Sequence, residues 1–432
     1  MMNPALKNNP FASVKILEFR NLLMGRFIFI MGLRMMATLV GWWIYLLTND
    51  PFAIGLIGLS EVIPAVSLAL YAGHVIDQSE KRKLLLKGIV LYFVAVVALI
   101  FISSHYVGKH LTNHWVAICI YIIIFGTGIV RAFTGPVFGA MIAYIVPRND
   151  LQNATTWSQG TWLSASVAGH ATGGFLIAGV GITGTLIVVS CFIASSFFFL
   201  FKVKPKLPSN IKGTVRTWES VKEGLRFVFK TKELLGAFSL DLFAVLFGGA
   251  VALIPIYARD ILKVGAEGFG FLNGAADLGS IIIVVVLTLF PMKRNQGKKL
   301  LLAVAGFGIC IVVFGVSKIF ILSFGALAIG GMLDGISVVV RGTITQLKTP
   351  DNMRGRVMSV SSMFVNSSNE LGQFESGVTA KLFGTIPSVV IGGSITLVVV
   401  ALMWFKLLLY ERWNIKVSPN LPKRGGDIGH LN

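Results

Sequence analysis

Along this chain, apolar runs long enough to cross a bilayer alternate with short polar breaks. The runs lie near 26–48, 54–76, 84–103, 115–138, 154–178 and 182–201. After a basic stretch they resume near 236–257, 268–291, 299–316, 319–341, 356–383 and 387–410. A crossing helix needs about 20 apolar residues, so twelve would take roughly 240. Lipid offers the backbone no hydrogen-bond partner, and runs without strict alternation satisfy theirs internally as helices. Composition agrees: the 432 residues are 55% hydrophobic and 13% charged, with a mean hydropathy of +0.78. That is about half the charge of a soluble domain, which excludes an ordinary cytosolic enzyme and a disordered chain. The expectation is an all-α polytopic membrane protein of about twelve transmembrane helices.

The formal charge of +19 does not point to nucleic acid, because the basic residues lie in short segments between apolar runs. Only Lys109, Arg259, Lys263 and Lys318 would face outside if both termini are cytoplasmic. Arg34, Arg131, Arg341, Lys381 and Lys406 fall within or at the ends of runs, and the remaining lysines and arginines fall inside. That bias sets the orientation expected for the cell's inner membrane. No cleavable signal is expected, because residues 1–20 are polar and basic and the run after them is long enough to span. Cys119, Cys191 and Cys310 all lie inside apolar runs, which suits neither a disulfide framework nor a zinc site.

The division expected is a cytoplasmic segment 1–25, a six-helix bundle 26–201, a basic linker 202–235, a second bundle 236–410 and a cytoplasmic tail 411–432. In the linker, Trp218, Val221, Leu225 and Phe229 share one helical face and Lys222, Arg226 and Lys230 another. Such a helix would rest on the anionic inner leaflet, or be a solvated connection. The two bundles echo each other weakly. Pro147, Gly169 and Gly174 recur as Pro350, Gly372 and Gly377, and KRKLLL (81–86) recurs as KKLLL (298–302). Pseudo-symmetric halves facing each other are a transporter architecture, with the substrate site near mid-membrane.

Between the second and third runs stands Gly73-His-Val-Ile-Asp77-Gln-Ser-Glu-Lys81-Arg82-Lys83. It resembles the loop motif of the major facilitator superfamily, G-x-x-x-D-[RK]-x-G-[RK]-[RK]. Gly73, Asp77, Lys81 and Arg82 match, whereas Gln78 and Glu80 depart. The fourth run carries Gly126-Thr-Gly128-Ile-Val-Arg131, similar to that family's buried-arginine motif. The fifth carries Gly169-His170-Ala-Thr-Gly173-Gly174, similar to the G-P-x-x-G-G motif of drug/proton antiporters, with His170 in place of proline. RGTITQLKTPDNMRGRVMSV (341–360) resembles the connection between the tenth and eleventh spans of enterobactin-exporter-like members. The likeness covers about residues 20–410. It implies the major facilitator fold and a monomer whose halves rock about a central cavity. It also implies gating at the 73–82 loop and proton handling or gating at Arg131.

Ionisable residues inside spans are costly and are functional candidates by default. The first half offers Arg34, Glu61, Arg131 and His170, and the second offers Asp241, Asp277, Asp334, Glu370 and Glu375. At a rise of about 1.5 Å per residue, Arg34, Arg131 and Asp334 lie ~21, ~24 and ~22 Å from the outer ends of their runs, and Glu61 only ~10 Å. The first three therefore share a level, and Glu61 is set apart from Arg34. Glu370 and Glu375, about 140° apart round a helix, cannot both face one cavity. Asp241 lies near the start of its run, where an interfacial position is expected.

A proton-driven carrier needs a carboxyl group that is neutral in one state and ionised in the other. Desolvation and a nearby arginine push its protonation in opposite directions. Glu370, Asp334, Glu61 and His170 are the coupling candidates, with Arg34 and Arg131 as buried cations for gating or an anionic substrate. Permanent structural pairing is the alternative for each of them. His110 and His114 have a metal-ligand spacing if helical, but nothing nearby completes a site, so neither metal nor cofactor is expected. Trp42 and Trp43 suit a vestibule or an interfacial anchor. Gly179-Val-Gly181-Ile-Thr-Gly184 fits G-x-G-x-x-G, yet it falls in a short turn between helices and follows no strand.

The function expected is proton-coupled export of a small molecule, with drug-like compounds or siderophores as the cargo the resemblance implies. A lipid-translocating or non-transporting sensor member of the same fold is the alternative, followed by a membrane-embedded enzyme.

Overall fold

The structure is a computed structural model, described here for residues 11–205, 217–290, 292, 296–350 and 353–409. Residues 1–10 of the expected 1–25 segment, linker residues 206–216 and the tail expected at 411–432 lie outside the described residues. So do the side chains of Gly73, Asp77 and Trp218.

Every element of the described chain is helical. In the first half these are α1 (Leu17–Thr48), α2 (Pro51–Gln78), α3 (Lys81–Ile102), short α4 (His105–His110), α5 (Asn113–Ile145) and α6 (Leu151–Phe201). The linker forms α7 (Thr217–Lys230). The second half holds α8 (Lys232–Phe247), short α9 (Ile254–Ile256), α10 (Gly265–Leu289), α11 (Gln296–Val316), α12 (Phe320–Lys348), α13 (Arg354–Phe383) and α14 (Thr385–Leu409).

Ten of the described segments are long and apolar enough to cross a membrane. One of them, Arg148–Phe201, is two crossings joined at Gly181, whose φ of +71° only glycine adopts freely. The second leg runs back beside the first. Ser158 takes a hydrogen bond from Arg26, while Leu200, at the other end of α6, packs on Gly25 one residue away. Counting both legs, and adding the more polar 30-residue α13, brings the crossing segments to the expected twelve. The end of the molecule that carries α7 is called the linker face below, and the opposite end the far face.

Local chemistry sets the helix starts. Asp50 accepts from the Phe52 amide at 3.0 Å with Pro51 as the first helical residue of α2, and Glu80 caps α3 by accepting from the Arg82 and Lys83 amides. Helices α1–α6 pack among themselves, as do α8–α14, and the two sets meet chiefly along α2–α13 and α6–α10. Both seams are made by glycine. A Cβ on Gly174 would stand 2.8 Å from the Gly270 Cα, and one on Gly377 would stand 2.8 Å from the Gly55 Cα. Small residues let backbones approach this closely in lipid.

The linker helix packs on the second half: Gly224 and Val228 are buried there, Leu225 packs with the same core, Glu223 pairs with Arg356 of α13, and Phe229 is exposed. One expectation needs correction here. Asp241 is not interfacial: it is buried and ion-paired with the buried Arg341 of α12. Its distance from the helix start misleads because α7 and α13 cover that end.

The Asp241–Arg341 pair joins two helices of one half, so its role is structural. Arg341→Met should destabilise the protein by roughly 3–5 kcal/mol, the usual cost of stranding a buried charge. The double variant Arg341→Met/Asp241→Leu should recover most of that. Thermal unfolding in detergent checks both, and a double variant no better than the single would refute this assignment.

Candidate functional site

The site begins with a close crossing of α2 and α5. Gly128 beds on the backbone of α2, where a Cβ would stand 2.6 Å from the Glu61 carbonyl oxygen and 2.7 Å from the Pro64 ring. One turn further along α5, Arg131 therefore projects beside Glu61 and donates to its Oε1 at 2.5 Å. The same Nη1 donates across the seam to Glu370 Oε1 of α13 at 2.8 Å. Gln373, one turn along α13, donates to Glu370 Oε2 at 3.2 Å. One arginine thus holds a carboxylate of its own half and a carboxylate of the other.

The exposures differ in an informative way. The Arg131 side chain keeps 39% of its surface accessible and Glu61 keeps 28%, whereas Glu370 keeps 9%. Towards the linker face, Gly135 and Gly139 of α5 have nothing within 4 Å of where a Cβ would stand. Towards the far face the halves are bolted together. Lys381 Nζ donates to Asp50 Oδ2 at 2.7 Å, Arg259 donates to Asn49 Oδ1 at 2.6 Å, and Tyr45 donates to Asp260. Trp42 stacks on Phe269 with ring centroids 5.4 Å apart. The seam is shut from the Arg131 cluster outward to the far face.

A second polar junction crosses the α6–α10 seam. His170 Nε2 lies 3.8 Å from Asp277 Oδ2, Thr38 meets His170 Nδ1 at 2.7 Å, and Ser166 donates to Asp277. Arg34 places its guanidinium 4.9 Å from the Trp162 ring centre and lies within electrostatic reach of His170, Asp277 and Glu370. It stands between the two junctions.

The sequence candidates are thus rearranged. Glu61, which the depth estimate set apart, is Arg131's nearest partner. The estimate measured from run ends that are not level, since α5 extends over 33 residues and the arginine side chain adds its own reach. Asp334 does not join Arg34 and Arg131 despite its matching depth. It lines a small cavity inside its own half with Asp241, Leu333 and Ser337. Glu375 lies 3.5 Å from the Ser376 hydroxyl, away from the cluster, as the 140° separation requires. Gly169, Gly173 and Gly174 do not merely line a face. Gly169 and Gly173 bed on Met31, Arg34 and Met35 of α1, and Gly174 on α10. In the loop motif, Lys81 is buried and donates to the Ile76 carbonyl, while Arg82 donates to the Phe201 carbonyl at 2.6 Å.

Trp42 and Trp43 are buried and anchor nothing at an interface. His110 ends α4 and His114 lies in α5, so they share no helix. Among the described residues no group of three or more His, Cys, Asp or Glu is placed to hold a metal. Sequence reasoning missed Gln373, Ser166, Thr38 and the far-face pairs. Only Asp50 and Lys381 carried a signal, as opposite charges at the ends of neighbouring apolar runs.

A family model described as transmembrane secretion effector matches residues 8–424. The enterobactin exporter EntS of Shigella flexneri is 24% identical over 342 residues, covering 78% of this chain and 79% of that protein. EntS of Escherichia coli strain SMS-3-5 matches to the same extent. Among solved structures, a POT family transporter in complex with 5-aminolevulinic acid superposes with a TM-score of 0.72 at 10% identity, covering 90% of this chain and 95% of that one. The nucleoside transporter NupG gives 0.68 at 14% identity, covering 91% and 99%.

The tight far-face seam has a direct test. Cysteines in place of Asp50 and Lys381, whose side chains meet across the far face, with Cys119, Cys191 and Cys310 changed to serine, should be joined by a short bifunctional maleimide. After protease cleavage in the linker the two halves should then run together on a non-reducing gel. Failure to cross-link would contradict the closed far face.

Proposed function

Because the chain belongs to the transmembrane secretion effector family of major facilitator transporters, we propose that it exports a small organic molecule across the inner membrane in exchange for protons. The observation that carries this reading is Arg131 bridging Glu61 of its own half and Glu370 of the other. The linker face is cytoplasmic in this reading, with both termini there and bundles of 26–201 and 236–410 as the rocking halves. The conformation described would then be the one that accepts cargo from the cytoplasm.

The chemistry follows from the geometry. With Arg131 in place, Glu370 is ionised and ties the halves together. When the halves part on the far side, Glu370 leaves Arg131, and a desolvated carboxylate without its partner takes up a proton. Arg131 keeps Glu61 and is not stranded. A proton on Glu370 thus substitutes for the arginine, and cargo and proton alternate as the halves rock. Arg34, in reach of the same seam, would attract an anionic cargo. The relatives named as enterobactin exporters favour a catecholate siderophore or a similar amphipathic compound.

Proteoliposomes carrying an interior pH dye and an imposed proton gradient test this. Added catecholate siderophores or lipophilic cations should elicit proton movement, which Glu370→Gln should reduce by about tenfold or more, a loss of at least ~1.4 kcal/mol in the driven step. Arg131→Lys should fail as well, because the shorter lysine side chain sets its ammonium back from the point where one Nη1 meets both carboxylates. Asp334→Asn should retain coupling. Labelled compound that crosses without protons would overturn the antiport. If nothing crosses, a lipid-translocating or sensing role displaces transport of these compounds.

A further inference from the structure

The α6–α10 junction contains a hydrogen-bond chain whose directions can be assigned. Thr38 Oγ1 lies 3.0 Å from the Arg34 carbonyl oxygen one turn back and 2.7 Å from His170 Nδ1. A carbonyl only accepts, so the hydroxyl proton belongs to that contact, and the Thr38 oxygen is left to accept from His170. Nδ1 therefore carries a hydrogen, and in the neutral ring Nε2 is a bare lone pair. That lone pair faces Asp277 Oδ2 at 3.8 Å, and Ser166 already donates to the same carboxylate. A lone pair facing a carboxylate oxygen has nothing to bond with until a proton arrives.

We propose that His170 and Asp277 form a proton-binding site shared between the two halves and distinct from the Arg131 cluster. One proton on Nε2 makes an imidazolium whose N–H reaches towards Asp277, drawing the contact to the ~2.8 Å of a charge-assisted bond. Loss of that proton returns the bare lone pair and releases the seam. The groups that face the site are few. Arg34 from α1 bears on both His170 and Asp277, Asp334 from α12 bears on Asp277, and Thr38 and Ser166 supply hydroxyls. At the same seam Gly270 and Gly174 fix the backbones in contact, so the pair cannot drift apart without the halves parting. The proton is thus a ligand that favours the closed seam. Its linkage is opposite in sense to that of Glu370, which under the antiport reading above takes up its proton as the halves part, so the site is a pH-set latch on the closed seam and not a second coupling proton.

The site can be tested without any cargo. Protein with its six histidines labelled with 15N is placed in lipid nanodiscs, and the His170 signals are assigned by their loss in His170→Asn. At alkaline pH the imidazole should show a protonated Nδ1 and a bare Nε2. On acidification Nε2 should gain a proton. Asp277→Asn should abolish that protonation step, and Thr38→Val should scramble the tautomer while the fold, checked by the other histidine signals, stays intact. A protonated Nε2 at alkaline pH in the wild type, or an unchanged step in Asp277→Asn, would overturn the proposal. Proteoliposomes then separate this from the antiport reading. With a catecholate siderophore, lowering the pH should hold back transport more in the wild type than in Asp277→Asn, which lacks the latch. If wild type moves no protons with the cargo while the 15N behaviour holds, antiport fails and the proton site stands.

Discussion

An arginine placed deep in a bilayer costs several kcal/mol unless it is paired, and here the pairing is divided between two bodies. Arg131 has one carboxylate it never needs to leave, Glu61, and one it holds only while the halves are together, Glu370. That asymmetry is what the rest of the molecule depends on. Were both acids on one half, the charge would be satisfied in every conformation and would report nothing. Were both on the other, parting the halves would strand the cation. The arrangement found keeps the cation paired throughout and exposes a single acid to change.

The remaining architecture supports that one contact. Gly128 brings α5 onto the Glu61 backbone, and the Gly174–Gly270 and Gly55–Gly377 approaches bring the halves close enough for a side chain to cross. Far-face closure by Asp50–Lys381, Asn49–Arg259 and the Trp42–Phe269 stack completes the seam. The far-face polar contacts, one ion pair and one hydrogen bond to a neutral amide, are partly exposed and individually weak. A seal made of several weak contacts can open without a large barrier, which suits a rocking joint. The buried Asp241–Arg341 pair is its opposite, a fixed brace inside one half.

Most of the fold was legible in the sequence because lipid imposes a simple rule: apolar length means a crossing helix. The twelve segments and the turn at Gly181 follow from it, and the linker helix follows from its amphipathic spacing. Even α13, too polar for a hydropathy criterion, was visible as a run between polar breaks. The candidate site was legible only as a set of residues. Arg131, Glu61, Glu370 and His170 stood out as charges in apolar runs, but their pairing depends on helix offset and tilt, which a rise per residue does not contain. Depth arithmetic therefore put Arg34, Arg131 and Asp334 on one level with Glu61 apart, whereas the contact made is Arg131 with Glu61. Thr38, Ser166 and Gln373 carried no signal, since neutral polar residues are ordinary in helices and acquire meaning only beside a partner from another strand of the fold.

The central claim is that the Arg131–Glu370 contact holds the far face shut. Spin labels on cysteines at Lys109 and Lys318, exposed at the far face on opposite halves, would measure this by pulsed distance spectroscopy in nanodiscs. The account predicts one short distance for the wild type and, for Glu370→Gln, a second and longer population at the same pH. Identical distributions in the two proteins would contradict it.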